Sequence, residues 1–127
     1  MKLLLDTHAF LWWLNDDPKL GVRARQTIEK PENFVVVSAA AAWEIAVKRA
    51  NGKLDVPGNV AEWIKQSAFA ELAIEVEHGI AAAELPKHHK DPFDRMMIAQ
   101  AHLEGMTLVA RDDEMDKYDV QVLDAST

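Results

Sequence analysis

Cysteine is absent from the 127-residue chain. Its absence excludes a disulfide framework, a thiol nucleophile and a cysteine zinc site. Long apolar runs are missing as well. The longest falls far short of the roughly 20 residues that a membrane-spanning helix needs, so no membrane contact is expected. No long apolar segment precedes a small-residue cleavage site near Met1, so a secretory signal is not expected either. The simplest expected address is the cytoplasm. Basic charge is also in short supply: 14 Lys and Arg stand against 21 Asp and Glu, for a net charge of −7. Such a balance argues against simple, charge-driven binding of nucleic acid. A polyanionic ligand would need an added cation, either a metal ion or a local basic patch.

What is present suits one domain over residues 1–127, since 49% of the residues are apolar and no repeat or linker divides the chain. Leu3-Leu4-Leu5 is an unalternating apolar run ended by Asp6, the mark of a strand buried on both faces. Thr7 to Leu14 reads as a mostly apolar first helix. Asn15-Asp16-Asp17-Pro18 is turn chemistry, and Val22 to Glu29 a polar, surface-facing helix. Phe34 to Val37 is a second buried strand. Ser38 is a good N-cap for a helix that begins at Ala39 and stops at Asn51-Gly52. A helix over Val60 to Ala70, a strand over Leu72 to Val76 and a short helix over Glu77 to Leu85 are predicted next. Asp91 caps a long helix with Pro92 at its first position, and Gly105 closes it. Thr107 to Ala110 is a further strand, followed by a brief helix near Glu114 to Lys117 and a last strand, Val120 to Leu123. Alternating strands and helices imply a three-layer α/β/α sandwich around a central parallel sheet.

In such a sheet the strand C-termini share one edge with the N-termini of the helices that follow. Asp6 and Asp112 lie just past strand ends. Asp94 lies in the first turn of the helix capped by Asp91, and Glu44 in the second turn of the helix capped by Ser38. All four acids are thus able to face one crevice. Each also has a plainer role open to it. Asp6 and Asp112 are suited to capping, Asp94 to a capping box and the helix dipole, and Glu44 to pairing with Lys48 four residues on. Glu44, however, is the only charge between Ala39 and Val47, where a carboxylate is costly to bury alone. Four carboxylates gathered together repel one another, and a divalent cation removes that problem. Oxygen ligands without cysteine suit Mg²⁺ or Mn²⁺, which activate water and stabilise charge on phosphate.

The stretches Leu4-Leu5-Asp6-Thr7-His8, Ser38 with Trp43-Glu44-Ile45, Asp91-Pro92-Phe93-Asp94-Arg95 with Ile98-Ala99, and Leu108-Val109 with Arg111-Asp112 together resemble the PIN domain. The nearest likeness is to the VapC-type toxins of bacterial toxin–antitoxin pairs. The resemblance spans essentially the whole chain. It implies a Mg²⁺-dependent endoribonuclease that cleaves RNA phosphodiesters by metal-activated water, with Asp6, Glu44, Asp94 and Asp112 as the catalytic, metal-holding acids. It also implies a cognate antitoxin as partner, and a homodimer. One position departs from the family pattern. Ala110 stands where Thr or Ser is usual, which leaves Asp113 and Asp116 as alternatives to Asp112.

Several other features are open to two readings. Lys87, His88, His89 and Lys90 form the most basic loop, suited to RNA phosphate or simply to solvent. Arg95 is placed for a substrate phosphate or for an ion pair. His8 has no partner histidine at metal-ligand spacing and is expected behind the acids at most. Phe10, Leu11, Trp12 and Trp13 are more apolar than one buried face needs, so part of that helix is expected to meet a partner. A phospho-receiver domain is the rival from another class; it needs an acceptor Asp after its third strand and a Lys after its fifth. A PIN relative that binds RNA without cutting it is the other.

Overall fold

Leu3, Leu4 and Leu5 are all fully shielded from solvent, although successive residues of a strand point to opposite faces. Both faces of their sheet are therefore covered, as an α/β/α sandwich requires. The structure, a computed structural model, describes every residue except His89, together with all side chains but that of Asp113. Its elements run β1 (Lys2–Leu5), α1 (Thr7–Leu14), α2 (Val22–Glu29), β2 (Phe34–Ser38), α3 (Ala39–Ala50), α4 (Val60–Gln66), β3 (Ala70–Leu72), α5 (Val76–Glu84), α6 (Pro92–Glu104), β4 (Thr107–Ala110), a 3₁₀ turn (Asp113–Lys117) and β5 (Val122–Asp124). Among the described residues no helix is long and apolar enough to cross a membrane.

The five strands form one parallel sheet in the order β3-β2-β1-β4-β5. β1 lies at its centre, paired through Leu3–Leu5 with Val35–Val37 on one side and with Thr107–Val109 on the other. From β1 the chain winds outwards through β2 to β3, then returns to the far side of β1 as β4. The switch point therefore lies between the ends of β1 and β4, the place where open sheets of this kind form a crevice.

Most expected boundaries hold, and the differences have local causes. The helix predicted to reach Ala70 stops at Gln66. Ala68 takes a positive φ of 60°, and Phe69 N–H returns to the Ile64 carbonyl at 3.1 Å. A left-handed terminus of this kind is usually marked by Gly or Asn, and here nothing in the sequence marks it. β3 is accordingly Ala70–Leu72 rather than 72–76, a three-residue edge strand with no apolar run to reveal it. α5 starts at Val76 because Glu75 and His78 form a reciprocal cap. β5 lies two residues later than predicted at its start. α2 is less superficial than its composition implies, since Ala24 and Ile28 are buried in the core.

Candidate active site

Asp6 leaves the end of β1 and becomes the N-cap of α1. Its Oδ1 accepts the Ala9 N–H at 2.7 Å, and its Oδ2 accepts the Arg111 N–H at 3.1 Å. The second bond spans the switch point and ties β1 to the segment that follows β4. The capping role and the cleft position therefore coexist in one residue. Burial pushes the Asp6 carboxyl up to about 6. The two N–H donors oppose that rise, and the neighbouring Glu44 charge adds to it.

Asp94 reaches the same cleft from the first turn of α6. That turn is fixed by Asp91, whose Oδ1 accepts from Phe93 N–H at 2.9 Å and Asp94 N–H at 3.2 Å, with Pro92 leading the helix. Burial, then the charges of Asp91, Asp6, Glu44 and Asp112, pushes the Asp94 carboxyl up to about 8. Burial is the largest cause, and four neighbouring carboxylates all push the same way, as acids gathered in one place do. Asp112 follows β4, is exposed, and caps the 3₁₀ turn by accepting the Glu114 N–H at 2.9 Å. Asp6, His8, Asp91, Asp94, Arg111, Asp112 and Glu114 line a cleft of about 500 Å³. Asp116, the alternative to Asp112, is exposed and does not line it. The side chain of Asp113, the other alternative, lies outside the described residues, as does His89.

Glu44 sits behind this cleft rather than on its wall. Its side chain is only 2% exposed, and it accepts from Thr7 Oγ1 at 2.5 Å and Lys48 Nζ at 2.5 Å. The pairing with Lys48 is thus present, but on a buried carboxylate and not on a solvated helix face. Thr7 joins α1 to α3 through that carboxylate, a role its sequence position does not reveal. A second buried polar group lies beneath the site. Ser38 Oγ accepts the Ala40 N–H as N-cap of α3 and donates to Gln100 Oε1 at 2.5 Å. Gln100 Nε2 donates to the Ala73 carbonyl at 3.2 Å and lies 3.3 Å from His78 Nδ1. Gln100 reads from sequence as one polar residue in a helix; its full burial links α6, which carries Asp94, to the start of α3, which carries Glu44.

Arg95, open from sequence to a substrate phosphate or an ion pair, is engaged with backbone carbonyls. Its guanidinium donates to the carbonyls of Ala82, Leu85 and Pro86, each at 2.9 Å, and so holds the end of α5. His8 lines the cleft with its Nε2 3.0 Å from Arg111 Nη1. A guanidinium only donates, so His8 accepts. Burial, then the Arg111 charge, lowers its pKa. His88 lies edge-on to Tyr118, with ring centres 5.0 Å apart.

Among the described residues no group of three or more His, Asp or Glu side chains is placed to hold a metal ion by itself. The donors nevertheless fit a hydrated hard cation. They are oxygens, their charges add to burial in raising Asp94, and those on the cleft wall leave room for water.

A parallel sheet with an acid at the end of its central strand and further acids across the switch point defines an α/β fold with an anionic cleft. The family model of the PIN domain matches residues 3–121 of the chain. The chain belongs to the PIN domain family. It is 31% identical over 114 residues to Ribonuclease VapC22 of Mycobacterium tuberculosis, covering 87% of this chain and 86% of that one. Two solved structures share the fold. VapBC2 from Rickettsia felis bound to a promoter DNA fragment has a TM-score of 0.70 at 14% identity and 98% coverage of both chains. VapBC-1 from nontypeable Haemophilus influenzae has a TM-score of 0.65 at 17% identity, with full coverage of both. The phospho-receiver alternative is set aside by family and topology: β3 is an edge strand here, whereas that reading needs its third strand to deliver a central acid.

Proposed function

We propose that this protein is a divalent-metal-dependent endoribonuclease and the toxin of a type II toxin–antitoxin pair. The observation that carries this reading is the convergence of Asp6, Asp91, Asp94 and Asp112 on one cleft at the switch point of the sheet, with Asp94 pushed up to about 8. Its similarity to Ribonuclease VapC22 supports RNA as the substrate. In this reading Asp6, Glu44, Asp94 and Asp112 are the site residues and hold Mg²⁺ or Mn²⁺, directly or through water. When bound, such an ion supplies activation of water and neutralisation of charge on the phosphodiester.

The chain's own groups prepare that site. The Ala9 and Arg111 N–H groups hold Asp6 in one orientation and favour its anion. Thr7 and Lys48 fix Glu44 and balance its charge from behind the cleft. The Ser38–Gln100 contact sets α6 against the start of α3, and the charges of Asp6 and Glu44 both act on Asp94. A cytoplasmic setting accords with an RNA substrate.

The partner in this reading is a cognate antitoxin, and the toxin itself forms a homodimer. The related structures described above are VapBC complexes, which supports the antitoxin. The test is cleavage of single-stranded RNA by purified protein with Mg²⁺ or Mn²⁺ and with EDTA. Cleavage is expected with metal, none in chelator, and none from a folded Asp94→Asn protein. Undiminished cleavage in EDTA removes the metal reading. A wild-type rate for Asp94→Asn makes Asp94 no more than part of the helix start. A protein that binds RNA with metal but never cuts it favours the non-catalytic PIN relative instead.

A further inference from the structure

Arg111 is the only Lys or Arg among the described residues that line the acidic cleft. Its backbone and side chain are fixed by separate groups. The backbone N–H donates to Asp6 Oδ2, which places the residue beside the acid at the end of β1. The guanidinium donates through Nη1 to His8 Nε2 at 3.0 Å. His8 Nε2 faces a group that can only donate, so this bond orients the guanidinium through an acceptor nitrogen and not through a carboxylate. Among the described residues Arg111 forms no salt bridge. Its charge acts on Asp6 from nearby, but no carboxylate holds the guanidinium at ion-pair distance among the described residues, so its N–H fork can take a further anion. Lys117, the nearest other base in the sequence, is already bound to Glu114 at 2.7 Å and does not line the cleft.

Resting on the ribonuclease reading, we propose that Arg111 grips the RNA backbone at the phosphate next to the bond that is cut, with His8 as the brace of its guanidinium. The donor fork suits phosphate oxygens, and the N–H groups that do not face His8 are open to take two of them. The polyanion then meets a fixed positive group at the rim of an otherwise repelling cleft. The contact is made to a flanking phosphate, so it acts on binding more than on the chemical step.

The test measures RNA binding and cleavage separately. Binding of a short single-stranded RNA is followed by fluorescence anisotropy across a salt series in an Asp94→Asn background, with and without Arg111→Ala. Cleavage kinetics with Mg²⁺ are measured for wild type, Arg111→Ala, Arg111→Lys and His8→Phe, each checked for folding by circular dichroism. Arg111→Ala is expected to weaken binding by about tenfold or more, the worth of one charge-assisted hydrogen-bonded contact. It should also flatten the log–log salt slope by about 0.7, one phosphate contact on a single strand. In cleavage, KM should rise with kcat nearly unchanged. Arg111→Lys should lie between, because it keeps the charge and loses the fork. His8→Phe should raise KM by less than Arg111→Ala. Unchanged affinity and salt slope in Arg111→Ala overturn the proposal while leaving wild-type cleavage, and with it the ribonuclease reading, intact. A fall in kcat at constant KM overturns it too. Wild-type protein that neither binds nor cuts RNA overturns both readings.

Discussion

Asp94 is the residue whose protonation carries the largest consequence. Its carboxyl is pushed up to about 8 in the folded protein, against 3.8 as the ordinary value. Between those limits the unfolded chain has lost the proton and the folded protein retains it. Raising the pH through that window therefore favours unfolding, an effect absent below about pH 4 and complete above about pH 8. Asn at this position has no proton to lose. In EDTA, Asp94→Asn should melt with wild type near pH 4 and progressively above it towards pH 8, by a few degrees or more. Thermal melts across that range check this. A constant difference between the two proteins at every pH would mean that Asp94 is not under electrostatic strain. Asp6 is a poorer subject for the same substitution. An amide nitrogen in place of one carboxylate oxygen would face either the Ala9 or the Arg111 N–H, so lost hydrogen bonding would offset the relief of charge.

Among the elements, α1 does two jobs. Its N-terminus carries Asp6, Thr7 and His8 to the cleft, and its other end presents aromatic surface. Trp13 Nε1 donates to Ser67 Oγ at 3.3 Å, and its ring lies 5.5 Å from Phe69. Together with the stretch before β2, these residues line a groove of about 380 Å³. Trp63 does not border it. That ring lies under the Arg49 guanidinium, packed against the core. The groove runs between α1 and the end of α4, where Ala68 turns the chain. If an antitoxin segment docks there, hydrogen exchange in the purified toxin–antitoxin complex should slow over α1 and over residues 67–69. Unchanged exchange in both stretches would move the partner elsewhere on the molecule.

For the molecule as a whole, the fold and the acidic cleft pull in opposite directions. β1 is buried on both faces and paired on both edges, so it is the part least able to move. The acid at its end is held there whatever its neighbours carry. A protein built this way tolerates repulsion at one edge because the core bears the load elsewhere, and a bound cation then adds stability by linkage. At a hundredfold excess over its dissociation constant, a ligand that binds only the folded state adds about 2.7 kcal/mol. Wild type should thus melt higher in Mg²⁺ than in EDTA. The gain should be larger at pH 8 than at pH 6, because Asp94 and Asp6 must give up protons before they hold a cation. Melting temperatures at both pH values, with matched ionic strength, decide this. Equal gains at the two would separate the stabilisation from these carboxyls.

The strand–helix alternation, the centrality of Leu3–Leu5 and the caps at Asp6, Ser38 and Asp91 were legible in the sequence, because each depends on a few neighbouring residues and the solvent they avoid. The four acids could be placed on one edge for the same reason: in a parallel sheet, chain direction alone decides which ends meet. The partners of those acids were not legible. Nothing local says that Glu44 is buried behind the cleft, that Thr7 holds it from another helix, or that the Arg111 N–H crosses to Asp6. Nor does a lone glutamine in α6 announce that it closes a polar contact between α6 and the end of β2. Those contacts join residues between 37 and 105 positions apart. They exist only once β4 has paired beside β1 and α6 has packed on α3. Local sequence fixes what a short segment prefers; hydrogen bonds between distant segments depend on distances that only the packed chain establishes.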